Sequence, residues 1–263
     1  MSSSGRFVAV RRAQAIEVID ALGASPRRTV ERSADDFAIA GPALWVLGAG
    51  TLERFAIDGL RPITPAIDVG AGARRLSAAP GEAVASVLVT GERALIVDVS
   101  REPVQTFELP VGSEPLCHLG GRRVLVGGSP LRLVEGGRGE VARIPCRDRG
   151  VLAASYLFGG RALAVLCEGA FLVLTPQGAV IHRIALPDVR AWAVAEQRGT
   201  ALLALEGGPL ISVDLRYGRV TAELDTPFVI DELAIDAAGQ FAALGGEGSF
   251  VHKPITELAR TAP

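Results

Sequence analysis

Side chains suited to catalysis or metal binding are scarce in this sequence. Among 263 residues there are three histidines, three cysteines, one methionine and 5% aromatic residues. General acid–base catalysis and zinc sites rely on several convergent histidine, cysteine or carboxylate side chains, and neither a CxxC nor an HxxxH spacing occurs. We therefore predict no catalytic residue, no metal and no cofactor. The odd number of cysteines, Cys117, Cys146 and Cys167, indicates reduced thiols in the cytoplasm.

The sequence also lacks an excess of charge and a long hydrophobic run. Its formal net charge is −2, which argues against a nucleic-acid partner because such proteins carry a basic stripe. We expect the adjacent arginine pairs to lie on solvated faces, and these are Arg11–Arg12, Arg27–Arg28, Arg74–Arg75 and Arg122–Arg123. No apolar segment approaches the roughly 18 residues of a membrane span. The first 20 residues favour strand over signal peptide, so we expect a cytoplasmic protein without a membrane partner.

What the sequence does contain is a repeat of short apolar strands. Seven of them end on a residue that starts a turn, and successive endings are 37 to 40 residues apart. These endings are Asp20, Asp58, Asp98, Glu135, Thr175, Asp214 and Lys253. A period of about 40 residues with several strands and no helical pattern is typical of a β-propeller. We predict an all-β fold, a seven-bladed β-propeller of four-stranded antiparallel blades, as a single domain over residues 1–263.

One repeat shows how a blade is built. Segments Val189–Glu196, Ala201–Leu205, Pro209–Asp214 and Val220–Leu224 read as four strands joined by tight turns. The hairpin between the second and third strands contains glycine in six repeats, as hairpins that need a positive φ do. These glycines are Gly48 and Gly50, Gly91, Gly127 and Gly128, Gly169, Gly207 and Gly208, and Gly245 and Gly246.

The two ends of the sequence are less regular. The first repeat shows three strands, Phe7–Arg12, Ala15–Asp20 and Arg27–Arg32, and lacks an evident inner one. The last repeat runs into a poor strand, ITELARTAP. Six blades with an N-terminal appendage therefore remain an alternative, and which terminus completes a terminal blade stays open.

Two junctions carry a resemblance to a known family. Ile67–Gly70 and Leu109–Pro115 resemble the outer-strand ending and Val-Gly-x-x-Pro crossover of YVTN-type repeats, and Leu233–Gln240 resembles their inner strand and turn. The pattern as a whole is similar to YVTN and WD40-like repeat proteins, although the Trp-Asp ending of WD40 repeats is absent. The resemblance implies a propeller and carries no catalytic residue with it.

Charged residues recur where each predicted inner strand begins. Because their spacing follows the repeat, we expect them at one end of the propeller, as ion pairs between blades or as a rim that binds a protein partner. The candidate partner-binding rim consists of Asp35, Asp36, Arg74, Arg75, Glu114, Arg149, Arg190, Asp231 and Glu232.

The leading functional hypothesis is a non-enzymatic platform for protein–protein interaction. Propellers present many variable loops on a rigid scaffold, and binding residues concentrate on such loops. A bacterial complex with a MoxR-type ATPase and a von Willebrand A protein is one possible setting. Two alternatives stay open: a lactonase-type or related hydrolase with a channel-mouth site, and a small-ligand sensor. The oligomeric state is not predicted.

Overall fold

A computed structural model shows seven antiparallel sheets and one short helix in the residues that it describes. It describes residues 1, 5–12, 14–78, 83–89, 93–110, 114–127, 130–144, 150–207, 209–224, 226 and 228–258, without the side chains of residues 119 and 120. Three groups of predictions lie outside the described residues: the hairpin glycines Gly91, Gly128 and Gly208, residues 111–113 of the crossover motif, and Cys146 and Arg149.

Blades 1 to 4 are formed by the first fifteen strands. Blade 1 contains β1 (Phe7–Arg12), β2 (Ala15–Asp20) and β3 (Arg28–Val30). Blade 2 contains β4 (Asp36–Ala40), β5 (Ala43–Gly48), β6 (Thr51–Ala56) and β7 (Ile67–Asp68). Blade 3 contains β8 (Arg75–Ala78), β9 (Val84–Val89), β10 (Arg93–Asp98) and β11 (Gln105–Glu108). Blade 4 contains β12 (Pro115–Gly120), β13 (Arg123–Val126), β14 (Leu131–Glu135) and β15 (Gly139–Ile144).

Blades 5 to 7 are formed by the remaining strands. Blade 5 contains β16 (Val151–Leu157), β17 (Ala162–Cys167), β18 (Ala170–Leu174) and β19 (Val180–Ala185). Blade 6 contains β20 (Val189–Ala195), β21 (Thr200–Leu205), β22 (Leu210–Asp214) and β23 (Arg219–Leu224). Blade 7 contains β24 (Glu232–Ile235), β25 (Phe241–Gly246) and β26 (Ser249–Pro254), and α1 (Ile255–Leu258) follows it.

The seven-bladed prediction is confirmed, and the six-bladed alternative is wrong because β1–β3 form a sheet of their own. The prediction of four strands in every blade is corrected at both ends, since blades 1 and 7 have three strands in the described part of the chain. The predicted last strand is also wrong, because Ile255–Leu258 is helical. The helix buries Leu258 in the apolar cluster of blades 6 and 7, which favours this turn over an extended segment.

The chain divides into two compact units. The N-terminal unit contains Phe7–Arg147 with blades 1 to 4, and the C-terminal unit contains Asp148–Pro263 with blades 5 to 7 and residues 3–6. In each unit the core consists of apolar side chains packed between neighbouring blades, such as Trp45 and Val87 in the first unit and Phe171 and Leu203 in the second. Second strands are almost wholly buried, as in β9 and β17, which explains their continuous apolar sequences.

Hairpin geometry follows the glycine pattern. Gly169 and Gly207, between the second and third strands of blades 5 and 6, have φ of 72° and 63°. A residue with a Cβ is strained there, so glycine favours these tight turns. In blades 2 to 7 the first strand begins at the same end at which this hairpin lies. Blade 1 has three strands in the described residues, and its β1–β2 hairpin, next to Arg11, lies beside the start of β4 and counts with this end. We call that end the lower edge of a blade and the opposite end its upper edge.

Candidate functional site

The predicted rim residues lie at the lower edges of the blades, at or just before the start of first strands. Asp36, Arg75, Arg190 and Glu232 belong to first strands, and Asp35, Arg74, Glu114 and Asp231 immediately precede them. All are exposed except Asp36, which is half-buried. Within the N-terminal unit, first strand β8 contacts the first strands on either side, β4 and β12, which brings charges from successive blades together.

Asp36 links three blades of the N-terminal unit. One carboxylate oxygen accepts from the backbone N–H of Leu76 in blade 3 at 2.8 Å, and Arg11 of blade 1 lies 3.7 Å from the other. Burial raises the pKa of Asp36, and the opposing influences are the Leu76 and Phe37 N–H groups and the Arg11 and Arg75 charges. Asp36 is therefore a connection between blades as well as a surface charge.

Arg75 continues this series of contacts to blade 4. Its guanidinium forms an ion pair with Glu114, which directly precedes β12. Both side chains are about half exposed, so the pair resembles the surface ion pairs that neighbouring blades exchange. Arg74 is exposed, and its backbone N–H donates to the Leu88 carbonyl. The structure thus distinguishes two adjacent arginines that the sequence treats alike.

The C-terminal unit has one such contact at its lower edge among the described residues. Arg190 of blade 6 lies 3.3 Å from Asp231 at the start of blade 7. Glu232 is exposed beside it, with no ion pair recorded in the described part of the chain. Some of the rim residues therefore form ion pairs between neighbouring blades within each unit, and their role in partner binding is a proposal.

A charged cleft of about 580 Å³ lies at the upper edges of blades 3 and 4. Asp98, the predicted ending of a third strand, is buried there and pairs with Arg122 of the next blade at 2.7 Å. Arg122 also donates to Gln105 at 2.6 Å and stacks on Phe107, 4.5 Å from the ring centroid. Burial acts to raise the pKa of Asp98, but hydrogen bonds from Ser100 and the Arg122 charge outweigh it and lower the pKa.

Arg122 corrects a prediction. We expected Arg122–Arg123 to lie on a solvated face, and this is wrong for Arg122, whose side chain is 27% exposed and tied to buried Asp98. Arg122 lies in the turn after the first strand of blade 4, and this turn meets the end of the third strand of blade 3 at Asp98. Arg123 does lie on a solvated face as expected, because half of its side chain is exposed and it forms an ion pair with Glu135.

The side chains of His118 and His182 contact other residues of the fold. His118 is buried in β12, with Nε2 3.2 Å from the Ser77 carbonyl and 3.0 Å from Ser86 Oγ, and burial lowers its pKa to about 4. His182 in β19 contacts the Arg216 carbonyl of the next blade through Nε2 at 2.7 Å. The Nε2 atom of His118 is therefore satisfied within the core.

His252 has a carboxylate neighbour that the sequence did not suggest. Its ring stacks on Phe241 at 5.4 Å, and burial lowers its pKa while nearby Asp236 acts to raise it. Asp236 itself accepts from the Gln240 and Phe241 N–H groups at 2.7 Å, so it shapes the β24–β25 turn. No residue spacing signals this contact, because it depends on the fold of blade 7.

The buried aspartates and serines in the described residues are engaged within the protein, whereas the buried Nε1 of Trp45 has no hydrogen-bond partner among them. Asp20, Asp98 and Asp236 accept hydrogen bonds in turns that follow strands, Ser86 contacts His118, and Ser212 accepts from Thr221. In the part of the chain that the structure describes, no group of three or more His, Cys, Asp or Glu side chains could hold a metal ion. None of the helices in the described residues is long and apolar enough to span a membrane.

Comparisons with known proteins identify the fold and nothing finer. No family model matches the sequence, and a search of curated proteins found no match either. Similar solved structures include the β-propeller domain of Myceliophteria thermophila Cps50 (Swd1), at 12% identity and TM-score 0.79, covering 96% of this chain and 93% of that one. A chain of a mitotic checkpoint complex has 13% identity and TM-score 0.75, with 95% of this chain and 83% of that chain covered.

A third similar structure is Kuenenia stuttgartiensis hydrazine synthase, at 14% identity and TM-score 0.72, with 97% of this chain and 94% of that chain covered. Identities of this size show the fold alone, and the three names span different functions. The chain is a seven-bladed β-propeller. Its resemblance to WD40-like propellers is confirmed at the level of fold, whereas the YVTN resemblance stays a prediction from two short motifs.

Proposed function

We propose that this propeller is a non-enzymatic platform that binds protein partners through the charged lower edges of its blades. The observation that carries the proposal is the distribution of polar groups. In the described residues, the buried aspartates and serines are engaged within the fold, whereas the charges that follow the repeat lie at or just before the starts of first strands, and all of these except Asp36 are exposed. Exposed residues on loops held by a rigid scaffold are where binding concentrates.

The similar structures support this proposal in a general way. One is a chain of a mitotic checkpoint complex, so the fold serves within a multi-protein assembly there. A complex with a MoxR-type ATPase and a von Willebrand A protein is a finer version of the same hypothesis, and capture of those two proteins would be its specific result.

The test is capture followed by reconstitution. The immobilised protein is incubated with native lysate, captured proteins are identified by mass spectrometry, and the candidate partner is purified and remixed. We expect a defined complex whose cross-links map to the lower edges and whose association rate falls with salt, because rim charges act mainly on encounter. Absence of a reconstituted complex, or turnover of a lactone panel by the purified protein, would overturn the platform.

A small-ligand sensor is the second candidate, and the upper-edge cleft favours it. The cleft is about 580 Å³, within the range of ligand pockets, and is lined by Arg101, Arg122 and Glu135 among others. If it binds a small anion, phosphate or a dicarboxylate should raise the unfolding temperature of wild type and not of an Arg101→Ala variant. No shift in wild type with either anion excludes them as its ligands.

A further inference from the structure

A groove at the lower edge of the C-terminal unit is not explained by the charged pairs described above. Its volume is about 430 Å³, and it lies where the linker from β23 to β24 meets the hairpins of blades 6 and 7. The floor is apolar, because Ala204, Leu210 and Ile230 line it and are buried in one cluster. A groove of this size accommodates a few side chains of a bound peptide.

The linker that forms one wall is held firmly against blade 7. The backbone N–H of Asp231 donates to the Gly245 carbonyl at 2.9 Å. A Cβ added at Gly246 would overlap the Val229 carbonyl oxygen, so only glycine permits this close approach. The groove is therefore formed before any partner arrives, which lowers the entropic cost of binding.

Apolar side chains on this wall are unevenly buried. Val229 exposes 49% of its surface, although its neighbour Ile230 is buried and Phe228 is half-buried. A large exposed apolar residue beside an apolar floor offers a contact for an apolar side chain of a partner.

Acidic side chains surround the groove. Glu247 lines it at the hairpin of blade 7, and Glu206 occupies the hairpin of blade 6 between lining residues Leu205 and Gly207. Both are exposed, as is Glu232, and no ion pair is recorded for the three in the described part of the chain. Arg190, a basic residue at this edge, is already paired with Asp231. The groove thus combines apolar side chains on its floor with acidic side chains at its edge.

We infer that this groove binds a basic, apolar peptide segment of a protein partner. Apolar side chains of the segment lie on the floor beside Val229, and its arginine or lysine side chains face Glu206, Glu232 and Glu247. Charge complementarity of this kind selects the partner and speeds its encounter. The inference rests on the proposed platform function and specifies the chemistry of one binding surface.

The test uses three labelled nonapeptides and fluorescence anisotropy with the full chain. In the first peptide arginine alternates with leucine, in the second glutamate replaces arginine, and in the third serine replaces leucine. We expect the first to bind about tenfold more tightly than either other peptide. Equal binding of the first and second peptides, or of the first and third, would overturn the inference.

Variants locate the site. The double change Glu206→Lys with Glu247→Lys should weaken the first peptide about tenfold at low salt, and Val229→Ser about threefold. The matched control is Glu168→Lys, which makes the same charge change as either single substitution, at the corresponding hairpin of blade 5, and should leave affinity unchanged. Equal weakening by Glu168→Lys would indicate a general field and contradict a groove. If the lysine variant fails to fold, Glu206→Gln with Glu247→Gln replaces it.

Two further outcomes separate this inference from the platform itself. The first is a sedimentation result in which the wild type is a dimer and Val229→Ser dissociates it. The occupant of the groove would then be a second copy of this chain, and the inference of a peptide-binding groove would be wrong. A partner reconstituted with wild type that binds the groove variants equally well would overturn the groove and leave the platform standing. Failure to find any partner would overturn the platform, while the peptide series still decides the groove.

Discussion

The lower edges of the two units differ in how much of their charge is used within the fold. In the N-terminal unit, Arg11, Asp36, Arg75 and Glu114 interact from blade to blade, so positive and negative charges compensate locally. In the C-terminal unit, Arg190 and Asp231 form the one such pair in the described residues, and acids beside the groove face solvent.

The difference has a simple origin in the repeat. Asp36 bonds Leu76 at a separation of 40 residues, and Arg190 bonds Asp231 at 41, because one period brings equivalent positions of neighbouring blades together. Two pairs of opposite charges meet in this way, Arg75 with Glu114 and Arg190 with Asp231. Where the two positions carry like charges, as Glu206 and Glu247 do at equivalent hairpins, both stay exposed. Pairing between positions one period apart therefore uses part of the charge within the fold, and the other charges of these edges stay exposed.

The largest effect is expected where charge is most buried, at the upper edge of the N-terminal unit. Arg122→Ala should lower the free energy of unfolding by about 2 kcal/mol, since it leaves buried Asp98 without its cation and removes the contact with Phe107. Urea denaturation at pH 7 measures it.

The neighbouring Arg123→Ala is the control, because its exposed pair with Glu135 should contribute less than about 0.5 kcal/mol. The pKa of Asp98 is lowered in the fold, so the stabilisation is complete above its unfolded pKa of about 3.9 and is lost as pH falls through the folded value. The difference between wild type and Arg122→Ala should therefore shrink below pH about 4. Equal effects of the two alanine variants would contradict the distinction between buried and surface charge.

A steric change tests whether the groove is preformed. Gly246→Ala should cost about 1 to 3 kcal/mol in unfolding free energy, because the new Cβ overlaps the Val229 carbonyl oxygen and the linker must shift. The adjacent Gly245→Ala is matched, since its Cβ would meet Glu232 at an ordinary 3.5 Å. Similar thermal denaturation of the two variants would show that the linker adapts freely, and the groove would then not be rigid.

Charge reversal in the N-terminal unit should have a smaller effect. Arg75→Glu places a like charge beside Glu114 and Asp36 and should cost about 0.5 to 1 kcal/mol at low salt, whereas Arg74→Glu should be neutral for stability. Adding Glu114→Arg to Arg75→Glu should restore the unfolding temperature. If Arg74→Glu is the more destabilising of the two, the pairing described for this edge is wrong.

The smallest stability effect is expected for the pair in the C-terminal unit. Arg190→Ala should change the unfolding free energy by less than about 0.5 kcal/mol, because both partners are substantially exposed. It should, however, speed association of the arginine–leucine peptide at low salt, since it removes the compensating cation from an acidic edge. Stopped-flow anisotropy measures the rate, and a slower association would contradict an acidic docking surface.

Much of the fold was predictable from particular segments. The four strands of blade 6 and the first two of blade 1 appear within a residue or two of the predicted bounds, because apolar second and third strands stand out between turn residues. The short fourth strand of blade 2, Ile67–Asp68, and the helix at Ile255–Leu258 could not be read in the same way. Their lengths depend on what they pack against.

The candidate rim was predictable in position but not in behaviour. A sequence with a period of about 40 residues determines that Asp36, Arg75, Arg190 and Glu232 begin first strands, because local strand and turn preferences repeat. Only the tertiary structure decided that Arg75 pairs with Glu114, that Arg122 holds buried Asp98, and that Val229 stands exposed over an apolar groove. These are contacts across blades, and their energies depend on distance and burial, which the order of residues along the chain does not contain.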